Sequence, residues 1–342
     1  MKKYLLSLVL LFLCASLVFA GASKEKSGSE ARTLVVYASD SFLSEWGPGP
    51  VVFPKFEKKY GIKIETLPGG SVGELVNLIQ MEKNSPKADI IIGVDNNLLA
   101  SVLKQDLLTA YKPAGIEKVK DELIFDKSYH VIPYDYSFFA LVYDSNKIKN
   151  PPKSLDDLLD SRYKKSIIAM DPRTSSPGLG FLMWTIKAKG EGYKDYWKRL
   201  MPNILTISES WSSGYGLFTS GEAPMVISYT TSPAYHVEYE KDDHIKTVLF
   251  TDGNYMQTEG VGIIKNAPHI DAAKKFVDFV LSEDFQSEIP LSNWMYPVID
   301  IPMPDSFKSA PVSDKPLLLN HEEIASEMDN WLSGWLESTL GK

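Results

Sequence analysis

The chain has 342 residues, enough for a large buried core and, as a prior, two domains. Apolar residues make up 44% and charged residues 23%, which excludes wholesale disorder. A net charge of -8 without a basic run argues against nucleic acid or an anionic membrane surface as partner, and a single cysteine, Cys14, excludes a disulfide framework or a Cys-rich metal site.

Lys2 and Lys3 precede an apolar run from Tyr4 to Ala20 that ends in Val18-Phe19-Ala20, the pattern of a Sec signal peptide over residues 1–20. Removing it takes the charge from -8 to -10 and leaves no cysteine. Phe19-Ala20-Gly21-Ala22-Ser23 resembles a lipoprotein box with Ala22 where a lipidated cysteine would stand. Residues 21–32, GASKEKSGSEAR, read as a flexible polar linker.

From Thr33 strand-like and helix-like runs alternate. Leu34–Tyr37 reads as a strand, Val51–Tyr60 as a helix and Lys63–Thr66 as a strand. Ser71–Met81 reads as a helix opened by a Ser71/Glu74 capping box, with Val72, Leu75, Val76 and Ile79 on one face. Asp89–Val94 has the continuous apolar character of a buried parallel strand. This order predicts an α/β fold with a mostly parallel sheet. Val131–Tyr143 is a long aromatic-rich run, fit to cross between two lobes. A second unit follows: a strand at Ile167–Met170, then a helix with Ser176 as N-cap and Pro177 at its first position. Lys194–Met201 and Gly214–Thr219 read as helices, Met225–Tyr229 and Gly262–Lys265 as strands, and Ala272–Leu281 as a helix. The tail Glu322–Leu340 is amphipathic, with Ile324, Met328, Trp331, Leu332 and Trp335 on its apolar side.

Ligands of open α/β sheets sit beyond the carboxyl ends of strands, so the segments after each strand are the candidate site. Hydroxyls stand there at helix starts, at Ser71 and at Ser175-Ser176, where free N–H groups favour an anion or a hydroxyl-bearing ligand. Helix capping explains the same serines equally well. Aromatic residues recur in the same segments: Tyr37, Trp211, Tyr215, Tyr229, Tyr235, Trp294 and Tyr296. Rings around one cleft suit a flat cationic ligand, at roughly 0.5–2 kcal/mol per ring–cation contact. Asp40, Asp95, Asp135 and Glu259 are the candidate counter-charges, with turn or cap roles as the alternative. No HExxH, GxSxG or Walker-type loop is present, and the five histidines are scattered; catalysis, a metal and a cofactor are therefore not expected.

Five long strings carry a family resemblance. They are Trp46-Gly47-Pro48-Gly49-Pro50-Val51-Val52, Gly93 to Leu99 (GVDNNLL), Asp171 to Ser175 with Pro177 to Gly180, Ser228 to His236 (SYTTSPAYH), and Asn293-Trp294-Met295-Tyr296-Pro297-Val298. On these the chain resembles, over Thr33–Leu340, the periplasmic thiamine-binding proteins of thiamine ABC transporters. The resemblance implies a type II periplasmic-binding fold, with two lobes joined by crossover hinge strands that close on the ligand. It places lobe one at 33–137 plus 260–290, and lobe two with the C-terminal helices at 138–259 plus 291–342. It implies a periplasmic monomer that carries thiamine or thiamine phosphates to an ABC permease in the inner membrane. By position, the implied ligand-binding residues are Ser175, Ser176, Trp211, Tyr229, Thr230, Thr231, Ser232, Tyr235 and Trp294, with Tyr37, Gly70, Ser71 and Asn293 beside them. Thiazolium is expected on Trp211, Tyr229 and Trp294, and the pyrimidine near Tyr235. The hydroxyethyl or phosphate end is expected at Ser175, Ser176, Thr230 and Ser232. Two positions depart from the family: Ser39 replaces a tyrosine, and Gly69-Gly70-Ser71 lacks the family's carboxylate.

The same fold binding a polyamine, an aminophosphonate or ferric ion is the alternative. A thiol-dependent thiamine-degrading enzyme is excluded, since the only cysteine lies in the leader. A surface interaction protein would show no small-ligand binding at all.

Overall fold

Thr33–Ala38 (β1), Lys63–Thr66 (β2) and Ile90–Asp95 (β3) pair in parallel, with Leu34 opposite Ile64 and Val36 opposite Ile90. The computed structural model describes residues 33–67 and 70–340; the leader, the linker, Pro68, Gly69 and the last two residues lie outside the described residues. Helix Gly49–Tyr60 (α1) covers one face of these strands through Val52 and Phe56 and stops at Gly61, whose φ of +67° suits only glycine well. Helix Val72–Met81 (α2) covers the other face with the four residues the periodicity marks, Val72, Leu75, Val76 and Ile79. Its capping box forms as expected: the Glu74 N–H donates to Ser71 Oγ (3.3 Å) and the Ser71 N–H donates to the Glu74 carboxylate (2.8 Å).

The remaining main strands are Leu108–Thr109 (β4), Val131–Asp144 (β5), Ile167–Met170 (β6), Ile204–Ser208 (β7), Met225–Tyr229 (β8), Ile245–Val248 (β9) and Asn254–Ile264 (β10). The sheet order is β2-β1-β3-β10-β5-β8-β6-β7. The outer sets are parallel, while β10 and β5 run antiparallel to their neighbours at the centre. The sequence pattern does not mark β4, β7, β9 or the first half of β10 as strands. β7 is buried only at its two ends, Ile204 and Ser208, and β10 begins with polar residues that bond across the centre of the molecule.

β5 and β10 each serve both lobes. Phe138 packs in the first core and Phe139 in the second; Met256 packs in the first and Tyr255 in the second. The crossings therefore fall at 138/139 and 255/256, not at the expected 137/138 and 259/260. Met295, Val298 and Ile299 also pack in the first core, so the segment after 290 returns to lobe one before the chain crosses again. Helices Ser176–Lys189 (α3) and Tyr193–Leu200 (α4) build the second core with Trp184 and Trp197. Gly180 lets α3 lie against Phe139, since a Cβ there would meet its ring at 1.9 Å. Helix Trp211–Thr219 (α5) covers the opposite face of β6 and β8 through Tyr215 and Phe218. Helix Ile270–Val280 (α6) returns to lobe one. Helix His321–Thr339 (α7) buries Ile324, Trp331 and Trp335 in lobe two. No described helix is long and apolar enough to cross a membrane.

Candidate functional site

A cleft of about 840 Å³ opens between the lobes, lined by residues of both. Ten of the expected binding residues line it: Gly70, Ser71, Ser175, Ser176, Trp211, Tyr229, Ser232, Tyr235, Asn293 and Trp294.

Three expected residues do not. Tyr37 is buried against α2, and its hydroxyl donates to Glu82 (3.1 Å) at the C-terminal end of that helix. Alternation along β1 turns its ring to the α2 face, away from the cleft. Thr230 and Thr231 are fully buried and share hydrogen bonds with Ser137 of β5 (3.4 and 3.1 Å). They tie the end of β8 to the crossing strand instead of facing a ligand. Asp95 and Asp135 are likewise buried outside the lining, whereas Asp40 and Glu259 belong to it. Asp95 has the turn role: its carboxylate accepts the Asn97 and Leu98 N–H groups (both 3.0 Å) and the Gln257 amide (2.7 Å).

Trp211 opens α5, and the preceding Ser210 accepts the Ser213 N–H (3.2 Å) as N-cap. Its indole N–H donates to Ser228 Oγ (2.9 Å), and its ring stacks on Tyr215 at 5.0 Å and 20°. Tyr215 is held beneath it by His236 (2.9 Å), whose other ring nitrogen meets Glu240 (2.7 Å). Trp46 of lobe one approaches Trp211 from across the cleft at 6.1 Å. Tyr229 packs on Phe139 (5.2 Å), and its hydroxyl donates to Gln257 (2.8 Å). Trp294 has φ of +54°, a conformation that costs a bulky residue about 1–3 kcal/mol and gathers at ligand clamps. Its ring stacks on Phe307 (6.5 Å, 9°) and meets the edges of Tyr235 (5.3 Å) and Tyr239 (5.5 Å).

The helix expected to start after Ser176 starts at it, with Ser175 in the cap position. Ser175 makes no cap bond, and its buried Oγ has no hydrogen-bond partner. A buried hydroxyl left unpaired at a helix N-terminus is poised for a ligand's polar end.

Sequence reasoning missed Trp46, Glu74, Glu209 and Glu240 in the lining. Trp46 stands in one of the family strings, and Glu74 in the capping box. The lining's carboxyl side chains are Asp40, Glu74, Glu209, Glu240 and Glu259, and among the described residues it holds no lysine, arginine or histidine. Glu74 also supplies lobe one with a carboxylate next to the position where Gly70 departs from the family pattern. Below the lining, burial pushes the Asp135 carboxyl up to about 8. Burial, then the Asp135 and Asp95 carboxyls, hold Glu259 well above the usual carboxylate range. No group of metal-ligating side chains able to hold an ion occurs among the described residues.

The profile of the bacterial extracellular solute-binding protein family matches residues 85–327. The chain is similar to the thiamine-binding periplasmic protein of Brucella suis, at 38% identity over 98% of this chain and 99% of that protein. It is similar to that of Salmonella typhimurium at 39% identity, over 98% of each. A solved periplasmic thiamin binding protein superposes with a TM-score of 0.85 at 37% identity, covering 90% of this chain and 96% of that one. With its two lobes, crossing strands and aromatic cleft, the chain belongs to the bacterial extracellular solute-binding proteins and, within them, to the thiamine-binding periplasmic proteins.

Proposed function

We infer that the chain is the periplasmic solute receptor of an ABC importer and that its ligand is thiamine. The observation that carries this reading is the cleft's chemistry: six aromatic side chains and five carboxyls, with no basic side chain among the described residues. Thiamine is a flat heteroaromatic cation, and ring faces plus carboxylates attract it where water is excluded. Its relatives' names point to the same ligand. Trp211 and Tyr229 offer ring faces from lobe two, and Trp294 and Tyr235 close the side wall. Ser175 and Ser176 at the start of α3, with Ser232 after β8, receive the hydroxyethyl or phosphate end. Closure about β5 and β10 then buries the ligand and presents a composite surface to the permease, with the receptor acting as a monomer.

Ferric ion fits less well. Tyr229 is committed to Gln257 and Phe139 and has no second tyrosine beside it in chain. An aminophosphonate has no flat cationic ring for the six aromatic side chains to stack on.

The test is isothermal titration of residues 23–342, stripped of co-purified ligand by unfolding and refolding, with thiamine. Submicromolar one-to-one binding is expected, and affinity of this order needs at least about -8 kcal/mol. A folded protein that gives no heat overturns the reading.

A further inference from the structure

The floor of the cleft holds three carboxyl side chains in a row. Glu259 on β10 stands opposite Asp95 on β3 and opposite Asp135 on β5. Both ladders shift register immediately after Glu259, between 259 and 261, a local irregularity of the kind that re-aims a side chain beside a site. Glu259 alone of the three reaches the cleft. Asp95 is satisfied by four donors. Asp135 is not: it is fully buried, Asn293 donates to its Oδ2, and its Oδ1 has no donor. Asp135 and Glu259 are directly opposed in their antiparallel ladder, so their side chains are cross-strand neighbours on one face of the sheet. Two ionised carboxylates side by side there would repel, and the orphaned Oδ1 would stay unpaired; one shared proton removes both defects.

The groups facing this pair are acidic or neutral. Asp95 comes from β3, Tyr134 from β5, Tyr229 from β8, and the Asn293 amide from the turn before Trp294. Nothing among them neutralises a doubly ionised pair, which leaves that task to the proton or to a ligand.

Resting on the thiamine reading, we propose that Asp135 and Glu259 are the charge-recognition element of the cleft: they share one proton when it is empty and give that proton up when a cation binds against Glu259. The balance is simple. The singly charged pair plus the cationic ligand gives the doubly charged pair with the ligand bound, and the proton passes to the buffer. Ligand selection thereby follows from charge: a cation replaces the proton, and a neutral ring of the same shape does not. The upward displacement of both carboxyls by burial agrees with this arrangement.

Titration calorimetry with thiamine at pH 7 in buffers of different ionisation enthalpy counts the protons released. About one per ligand is expected for the wild type, and none for Glu259→Gln, whose affinity should fall at least about tenfold. The infrared difference between ligand-free wild type and Glu259→Gln should show the C=O stretch of a protonated carboxylic acid, which reads the pair without any ligand. Asp135→Asn serves if the first variant fails to fold. Thiamine binding without proton release, or no carboxylic-acid band in the free protein, overturns this inference and leaves the thiamine reading standing. No binding of thiamine to the folded protein overturns both.

Discussion

Trp46 and Trp211 meet only because the two lobes face each other, so their contact measures closure. Trp46 belongs to lobe one, close to Phe42 of the first core, and Trp211 opens α5 in lobe two. Their ring centroids are 6.1 Å apart at 55°. A tilted aromatic pair contributes about 0.5–1.5 kcal/mol beyond the area it buries. Opening the cleft loses that contact, and ligand binding restores it. Trp46→Ala should therefore weaken thiamine binding by a factor of about 2 to 12. Trp46 is 47% exposed, so the folded protein's own stability should change by no more than about 0.5 kcal/mol. Trp211→Ala loses more, because it also removes the ring stacked on Tyr215 and the hydrogen bond to Ser228. The decisive measurement is the double-mutant cycle by calorimetry. A coupling of about 0.5–1.5 kcal/mol is expected between the two positions. If the two effects add to within about 0.3 kcal/mol, the rings do not touch in the bound state and the closure argument fails.

Three further outcomes follow from the geometry. Trp294→Ala should cost at least about 1 kcal/mol of binding, and wild-type affinity in a titration of that variant would remove the side wall from the site. Tyr37→Phe should leave the thiamine Kd within about twofold, since its hydroxyl serves Glu82 at the C-terminal end of α2; a tenfold loss would return it to the cleft. The raised carboxyls Asp135 and Glu259 make the empty native chain hold more protons than the unfolded one. Their contribution to stability is thus fully present only below about pH 4 and is lost as pH rises towards about 8, with a slope of up to about 1.4 kcal/mol per pH unit for each proton held. Urea unfolding across that range should show the fall in the wild type and a flatter profile in Asp135→Asn; equal slopes would contradict the assignment.

Legibility in the sequence followed the locality of the cause. The α2 capping box depends on residues three apart, and both of its hydrogen bonds form as the pattern predicts. The continuous apolar run of β3 marks a strand buried on both faces, and it is one. Trp211, Tyr229 and Trp294 reach the cleft because strand ends and helix starts place them there. Tyr37 failed because strand alternation sends successive side chains to opposite faces, and a strand-end position alone does not say which. Thr230 and Thr231 sit in a family string yet face Ser137, a partner about ninety residues away. The same distance hides the Asp95–Glu259–Asp135 row, which exists only through the register of three strands far apart in the chain. The polar start of β10 reads as a loop until Asn96 and Asp95 are seen to satisfy it: the Thr258 N–H donates to Asn96 Oδ1 (2.9 Å), and Gln257 donates to Asp95.

Neither lobe is a self-sufficient stretch of chain. β5 and β10 each supply backbone ladders on both sides of the cleft, β10 through Asn254 and Tyr255 opposite Pro316 and Leu317, and the chain crosses again after 301 to bring α7 onto the second core. Removing one half by truncation strips a central strand from the other and leaves its amide groups without partners. Thermal unfolding should therefore run as one cooperative event, and swapping lobes between relatives cannot be done with a single splice. The strands that act as the hinge are also what forces the two halves to fold, and to be inherited, together.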